Sequence, residues 1–375
     1  MAGAVAWCAA MMTACAVTDR HLGWRRGRVW RAAMPRSVGV RATVRDIAAE
    51  TGLSIATVSR VLNRAANVAP HTRDLVLQAV QRRGGWGPLR RGEMPPAGGA
   101  VFVRCPYVLT DYFGLIVSSI AETIELHGRQ VVLSAGEALQ RAGVLAGLSE
   151  RPELAGAILI LPPEEPEDLV RLRDQQFPFV VIDPRTPPPK DIVTVSAAHF
   201  SGARRLMSHL VELGHRRVGI IGGPPEWLAN DARMAGYVAP LADAGVLPSP
   251  ELVRHVPEPN TENGYRAAGE LLDLPRRPTA LVAFNDKMAV GALAAAAERG
   301  LRVPRDLSVA GFDDIDVSRA TSPMLTTVRQ PLQEMGRMAV TMLMRLLDRH
   351  TLEAVHVSLG TELVIRDSTA RPHTA

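Results

Sequence analysis

The chain has 375 residues, of which 47% are apolar, so it is long enough for two or three domains with substantial cores. Residues 1–92 carry fifteen arginines and four acids, whereas 93–375 carry 28 basic and 34 acidic side chains; a basic head on an acidic body is typical of nucleic-acid binding. The three cysteines, Cys8, Cys15 and Cys105, are too few and too scattered for a disulfide framework or a metal site.

The first 40 residues open with an apolar run from Ala2 to Val17. The part of this run that ends at Cys15 loosely resembles a lipoprotein processing site. No Lys or Arg precedes this run, and the run is too short to span a bilayer. We therefore expect residues 1–40 to be a disordered extension or a misassigned start, with Met34 as an alternative initiator.

Residues 41–83 predict three short helices in a helix-turn-helix arrangement. Thr43 is a start signal for the first helix, because a hydroxyl can satisfy a free amide there. Gly52 permits a tight turn, since glycine takes a left-handed backbone cheaply. Ser54 is then expected to cap a second helix over Ile55 to Asn63.

The third helix is expected to begin near Pro70, because proline suits the first position of a helix. Apolar residues at helical spacing predict the inner faces of the three helices. These residues are Ile47, Ala48, Val58, Val61, Leu62, Leu75, Val76, Ala79 and Val80.

The same pattern would also fit a generic three-helix bundle. The second helix, however, has a small, polar exposed face that ends in Arg60, and a helix-turn-helix places such a face in the major groove of DNA. The residues that we expect at the DNA are Thr43, Ser54, Ile55, Ala56, Thr57, Ser59, Arg60 and Asn63.

The run TVRDIA…GLSIATVSRVLN closely resembles the DNA-binding head of the lactose-repressor/galactose-repressor (LacI/GalR) family. This resemblance implies a transcriptional regulator whose two heads bind a pseudo-palindromic double-stranded DNA operator, which requires a homodimer.

Residues 84–99, GGWGPLRRGEMPPAGG, predict a linker. The family usually has a hinge helix here, whose leucine wedges into the minor groove of the operator, and Leu89 is the matching residue. Gly92, Pro95 and Pro96 leave too few residues for a stable helix. We therefore expect no ordinary hinge helix, and a weak wedge at best from Leu89.

From residue 100 onward, short apolar runs alternate with helical ones, which predicts βαβ units and parallel sheets covered on both faces. About 275 residues are more than one sheet usually holds, so two lobes are expected. The predicted strands are 101–104, 130–133, 157–161, 179–182, 218–221, 280–284 and 307–311. The predicted helices include 113–127, 203–213, 264–272 and 286–299.

The segments LGHRRVGIIGGP, FNDKMAVGAL and RGLRVPRDLSVAGFDD resemble the effector core of the same family. The resemblance implies two α/β lobes joined by three crossovers, as in periplasmic sugar-binding proteins. The expected fold class is an all-α helix-turn-helix head plus an α/β two-lobed periplasmic-binding-protein-like core. The predicted boundaries are 100–368 for the core, 100–196 with 326–350 for lobe 1, 197–323 with 355–368 for lobe 2, and 369–375 for a tail, with crossovers near 195–198, 323–326 and 351–355.

In open α/β sheets, ligands bind beyond the carboxyl ends of strands, where polar residues such as Asp183 and Asp313 occur in this sequence. The resemblance adds an arginine before AGY and residues at the start of the first core helix. Carboxylate, amide and guanidinium groups together can pair the hydroxyls of a sugar, so a sugar or a related small polar metabolite is the expected effector. The predicted effector-binding residues are Asp111, Tyr112, Phe113, Arg185, Trp227, Arg233, Asn285 and Asp313.

Several residues of this region have structural alternatives. Asp286 is expected to cap its helix, Arg185 could be a solvated loop residue and Trp227 could be part of the core. His215 is expected to order a helix-to-strand turn. Near His199 the family often has an Asp-Asn pair, so a ligand contact there is left open.

The sequence contains no nucleophile elbow, no metal-ligand cluster and no phosphate-binding glycine loop with its lysine. We therefore expect a cytoplasmic, homodimeric regulator, a repressor, with no catalytic residues, no metal, no cofactor and no membrane contact. Two alternatives stay open: an exported sugar-binding protein of a transporter, and the same regulator with a purine or an amino acid in its cleft.

Overall fold

The computed structural model divides the chain after Pro88 into two compact units, residues 1–88 and 89–375. It describes residues 44–54, 57–58, 61, 68–82, 99–136, 144–247, 249–350, 352 and 354–373.

The first unit is helical wherever it is described, apart from short turns. Helix α1 spans Val44–Thr51 and helix α2 spans Pro70–Arg82, which confirms the predicted start at proline. Thr57, Val58 and Val61 also have helical backbone. Gly52 has a φ of 67°, the left-handed conformation that the turn requires.

The head has a small apolar core, as the helical spacing predicted. Its buried members are Ile47, Ala48, Val58, Val61, Val76 and Ala79. Leu75, which was also predicted for the inner face, is only half-buried.

The second unit is an α/β core. Its strands are β1 Ala100–Cys105, β2 Val131–Ala135, β3 Leu154–Ile160, β4 Phe179–Ile182, β5 Thr194–Ala197, β6 Val218–Gly222, β7 Val253–His255, β8 Ala280–Ala283, β9 Ser308–Ala310, β10 Thr327–Arg329, β11 His356–Leu359 and β12 Glu362–Val364. Its helices are α3 Asp111–Leu126, α4 Pro166–Asp174, α5 His199–Leu213, α6 Leu228–Asp243, α7 Thr261–Leu272, α8 Asp286–Glu298, α9 Val317–Ala320 and α10 Leu332–Leu347, with a 3₁₀ turn at Pro250–Leu252.

Two parallel sheets form the two lobes. The first sheet has the strand order β11-β5-β4-β3-β1-β2, and the second has the order β7-β6-β8-β9. Helices cover both faces, so the central strands are buried throughout; all five residues of β6 are buried, for example. No helix in the described parts of the chain is long and apolar enough to cross a lipid bilayer.

The chain passes between the lobes three times, and two of these crossovers lie later than predicted. The first is at Ala198, between β5 and α5, close to the prediction. The second lies at 330–331, not 323–326, because β10 still belongs to lobe 2, where Val328 packs against its core. The third lies near Gly360, not 351–355.

The position of β11 corrects the predicted lobe 2. Strand β11 pairs in parallel with β5 at the edge of the first sheet, with Val357 opposite Val195. Placing 355–368 wholly in lobe 2 is therefore wrong, and only the part from β12 onward lies there. The predicted tail also begins inside lobe 2, since the carbonyl of Ala370 lies 2.9 Å from Nε2 of His215.

Candidate functional site

A cavity of about 430 Å³ lies between the lobes, beyond the carboxyl ends of the strands of both sheets. This is where the strand-end rule predicts a ligand. Seven of the eight predicted effector residues line it: Tyr112, Phe113, Arg185, Trp227, Arg233, Asn285 and Asp313. The structure does not bring Asp111 to the cavity. That residue is the exposed first residue of α3, where an acid suits the positive end of the helix.

A chain of hydrogen bonds links four residues of the cavity lining: Tyr112, Asp183, His199 and Arg233. Tyr112 donates its hydroxyl to Asp183 Oδ2 at 2.8 Å, and His199 Nε2 lies 3.2 Å from Asp183 Oδ1. Arg233 Nη2 lies 3.3 Å from the other ring nitrogen, Nδ1 of His199. Since a guanidinium can only donate, Nδ1 accepts and Nε2 carries the proton that His199 donates to Asp183.

The protonation states follow from this order of donors. Burial lowers the pKa of His199, against the neighbouring Asp183, so the ring is neutral at pH 7. Burial alone would raise the pKa of Asp183, but the interactions with His199 and Tyr112 outweigh it and the pKa is lowered. Burial also raises the pKa of Tyr112 well above its ordinary value, so its hydroxyl remains a donor.

Arg233 is held rigidly in the floor of the cavity. Its guanidinium lies 4.2 Å from the ring centroid of Phe284 and 3.8 Å from that of Phe312. It donates to the carbonyl of Phe284, and its Nη2 lies 3.8 Å from Asp313 Oδ1. A buried cation with a fixed orientation is suited to a ligand that presents hydrogen-bond acceptors.

Two carboxyl groups lie next to this arginine. Burial raises the pKa of Asp313 to about 7, although Arg233 and a hydrogen bond from Gln330 Nε2 at 2.6 Å lower it. Behind Asp313, burial raises the pKa of Asp286 well above its ordinary value, and the charge of Asp313 adds to this effect.

Helix α8 is capped by Asn285, which corrects the expectation that Asp286 is the cap. The Asn285 side chain accepts from the amide of Met288 at 2.9 Å and donates to the carbonyl of Pro259 at 3.0 Å. Asp286 is instead fully buried and accepts from the amide of Ile315 at 3.0 Å. Asn285 therefore lines the cavity with a side chain that already has backbone partners.

Aromatic rings form the apolar wall. Tyr107 and Phe113 stack with centroids 4.5 Å apart and an interplanar angle of 7°, while Trp227 and Phe284 meet edge to face at 6.2 Å. Arg185 lies 5.5 Å from the Tyr107 centroid and 5.2 Å from that of Trp227, and it donates to the Tyr107 hydroxyl at 2.8 Å. Arg185 is thus a wall residue, not a solvated loop residue.

The backbone is also unusual around the cavity. Three lining residues other than glycine have positive φ: Leu161 at 42°, Asp183 at 47° and Asp313 at 124°. Such conformations are uncommon for side-chain-bearing residues and cluster at functional sites.

The predicted DNA-binding face is described only in part. Ser54 is exposed, and its hydroxyl accepts from the amide of Thr57 at 3.1 Å, which confirms it as the helix cap. The other predicted DNA contacts lie outside the described residues: Thr43, Ile55, Ala56, Ser59, Arg60, Asn63 and Leu89.

Comparison with known proteins decides the family. Residues 43–84 match the bacterial regulatory proteins of the lacI family, and residues 207–369 match the periplasmic binding protein-like domain. CytR, an HTH-type transcriptional repressor of Escherichia coli strain K12, is 33% identical over 335 residues, which cover 88% of this chain and 96% of CytR. The chain belongs to the LacI family.

Solved structures of this family have the same architecture. A complex of the transcriptional regulator CelR with cellobiose has a TM-score of 0.64 at 29% identity and covers 88% of this chain and 100% of the CelR chain. A lac repressor dimer bound to operator and the anti-inducer ONPF has a TM-score of 0.64 at 26% identity and covers 88% and 99%.

As a LacI-family member, the chain is a DNA-binding transcriptional repressor and not an enzyme. The helix-turn-helix head plus two-lobed core is confirmed. The match over the head favours a regulator over an exported sugar-binding protein. Among the residues with described positions, no group of three His, Cys, Asp or Glu side chains could hold a metal ion.

Several lining residues were absent from the predicted set, among them Tyr107, Asp183, His199 and Lys287. The strand-end rule could have found Tyr107, which lies two residues after β1, and it did point to Asp183. His199 follows β5, whose sequence TVSA is too short and polar to be recognised as a strand. No pattern in the sequence indicates Lys287.

Proposed function

We propose that a small polar effector, a sugar or a related metabolite, binds in the cavity between the lobes and controls the affinity of this repressor for its operator. The observation that carries the proposal is Arg233, which is buried, oriented by two aromatic rings and directed at an acidic partner, Asp313, within an aromatic-walled cavity.

The chemistry of the lining supports a sugar. A sugar hydroxyl both donates and accepts, so it needs acceptors such as Asp183 and Asp313 beside a donor such as Arg233. The faces of Phe113 and Trp227 offer apolar surface to the C–H groups of a sugar ring. The CelR–cellobiose complex is a related protein with a carbohydrate ligand.

A planar purine-type ligand is the second candidate, and one observation favours it. Tyr107 and Phe113 already form a parallel stack of rings, and a heterocyclic ring could extend this stack on an outer face. An amino acid effector has no comparable support.

We further propose that the repressor binds a pseudo-palindromic operator as a homodimer. Strand β2 is an edge of the first sheet and exposes Val132 and Leu133, and α3, which packs on β2, exposes Leu115. Unpaired apolar edges are commonly covered in native proteins, and a second copy of this chain would cover this one. The related lac repressor structure is a dimer on its operator.

A thermal-shift screen of sugars and nucleobases should identify the effector, because a ligand that binds only the folded state stabilises it. Calorimetry should then show affinity that is about 10- to 100-fold weaker in Arg233→Ala, since a hydrogen bond to a buried charge is lost. Arg266→Ala, on an arginine that is exposed and outside the cavity lining, is the matched control and should bind as wild type does.

Arg233→Ala also leaves Asp313 without its cationic neighbour and could unfold lobe 2. Tyr112→Phe is a milder variant, because it removes only the hydroxyl that bonds Asp183. Unchanged ligand affinity in both folded variants would place the effector elsewhere.

A further inference from the structure

A side-chain hydrogen bond other than the Asp183–His199 bond joins the two lobes across the cavity. Lys287, at the start of α8 in lobe 2, donates from Nζ to Thr110 Oγ1 in lobe 1 at 3.0 Å. Both residues line the cavity, and Thr110 immediately precedes α3. The bond therefore connects the N-terminal ends of two helices that belong to different lobes.

Neither residue is placed there by the needs of its own helix. Thr110 has the extended backbone of an N-cap, but its side chain makes no capping hydrogen bond. Lys287 is the second residue of α8, where a cation is unfavourable next to the positive end of the helix. The two side chains thus bond each other across the cleft, and neither stabilises its own helix.

Two other hydrogen bonds between the lobes lie beside the crossovers. The amide of Leu228 donates to the carbonyl of Arg185 at 2.6 Å, and Asp183 is bonded to His199. A second cavity of about 280 Å³, next to the crossovers, is bordered by Leu228, Asp183 and His199, but by neither Lys287 nor Thr110. The Lys287–Thr110 bond consequently lies away from the hinge, where a rotation of the lobes separates them most.

We propose that Lys287 and Thr110 form a polar latch that holds the cleft closed and must release before a ligand enters or leaves. This role goes beyond the proposed effector, because it concerns the balance between open and closed lobes and not the identity of the ligand. Opening the hinge breaks the bond, so the latch shifts the balance between open and closed lobes. A net hydrogen bond of ordinary strength corresponds to a factor of about five in that balance.

The amide of Leu228 is a natural reporter of opening, since its acceptor is in the other lobe. Its hydrogen exchange, resolved to single residues in the ligand-free full-length protein, should be about fivefold faster in Lys287→Met and in Thr110→Val. The double variant should be no faster than either single variant, because each removes the same bond. Lys287→Arg should keep the exchange slow, since arginine retains the charge and the donor.

Lys190→Met is the matched control, because Lys190 is the only other lysine of the chain and is exposed. In this variant the Leu228 amide should exchange as fast as in wild type. Wild-type exchange in Lys287→Met, or effects of the two single variants that multiply in the double variant, would overturn the latch. The assay contains neither effector nor DNA, so its outcome is independent of the ligand screen.

Discussion

The position of His199 between Arg233 and Asp183 explains why a neutral histidine can bond both charged groups. Arg233 can only donate and Asp183 can only accept, so His199 between them must accept on one nitrogen and donate on the other. The imidazole therefore transmits orientation from the arginine to the carboxylate without adding charge. Any substitute at this position needs both an acceptor and a donor, as Asn or Gln has.

Asp313 makes the stability of lobe 2 depend on pH. Its pKa in the folded state, about 7, lies above its ordinary value of 3.8, so between these values the folded protein binds more protons than the unfolded chain. The contribution of Asp313 to the free energy of unfolding should therefore fall as pH rises from about 5 to 7, by at most ~1.4 kcal/mol per pH unit, and level off above pH 7. Buried histidines such as His199 and His215, whose pKa values burial lowers, contribute with the opposite sign.

The slope of melting temperature against pH should be more negative in wild type than in Asp313→Asn, because the other titrating groups are common to both proteins. The slope is the relevant quantity, because the substitution also removes the partner of Arg233 and lowers stability at every pH. Asp306→Asn is the control: the pKa of that half-buried carboxyl is lowered by Arg302, so the substitution should not affect the slope near neutrality. Equal slopes in wild type and Asp313→Asn would show that Asp313 is ionised throughout.

Helices α7 and α8 approach unusually closely, and this contact positions the cavity residues at the start of α8. A Cβ added at Gly291 would overlap the carbonyl oxygen of Thr261 and lie 2.5 Å from the amide nitrogen of Tyr265. Both are backbone atoms, so a helix must move to make room. Because α8 presents Asn285 and Lys287 to the cavity, its position affects the site directly.

Gly291→Ala should destabilise the core by about 1–3 kcal/mol, as overpacking usually does, and weaken the ligand found in the thermal-shift screen. Thermal unfolding and calorimetry measure these two effects. Ala294→Ser, on the exposed face of the same helix, should change neither. A Gly291→Ala protein with wild-type stability would mean that the two helices separate at no cost.

The strands that could be predicted from sequence are those in the middle of the sheets. Their apolar runs, such as FVVI in β4 and ALVA in β8, are required because helices cover both faces. Strands β7, β10 and β12 have only three residues each and β11 reads HVSL. These strands form because neighbouring strands in the fold pair with them, and their own sequences do not indicate a strand. The crossovers were misplaced because these strands were not predicted.

The cavity could be predicted in outline for a similar reason. Parallel strands end together, so polar residues after predicted strands converge, and Asp313 and Arg185 were found in this way. Lys287 and Thr110 could not be found, because their bond depends on the angle between lobes that lie far apart in sequence. The prediction that Leu89 is a weak minor-groove wedge concerns residues outside the described part of the chain and stays a prediction.

At the scale of the whole molecule, regulation requires that the core and the head be coupled. If they are, a ligand that binds one arrangement of the lobes more tightly than the other must change the affinity of the head for DNA. Because the head is basic, its affinity for DNA should fall as the salt concentration rises. The affinity of the cavity for its ligand should depend less on salt, because the acidic and basic side chains of the lining largely neutralise one another. The two binding events can therefore be measured separately and then together.

The most direct test is the affinity for a duplex that the protein itself selects from random sequence, measured with and without the ligand from the thermal-shift screen. We predict a duplex with two related half-sites, and a ligand-induced change in affinity of about 5- to 150-fold, the usual range of coupling between sites. In Arg233→Ala the affinity for DNA without ligand should stay near wild type and the response should be lost. Selection of no specific sequence, or an undiminished response in Arg233→Ala, would contradict the account.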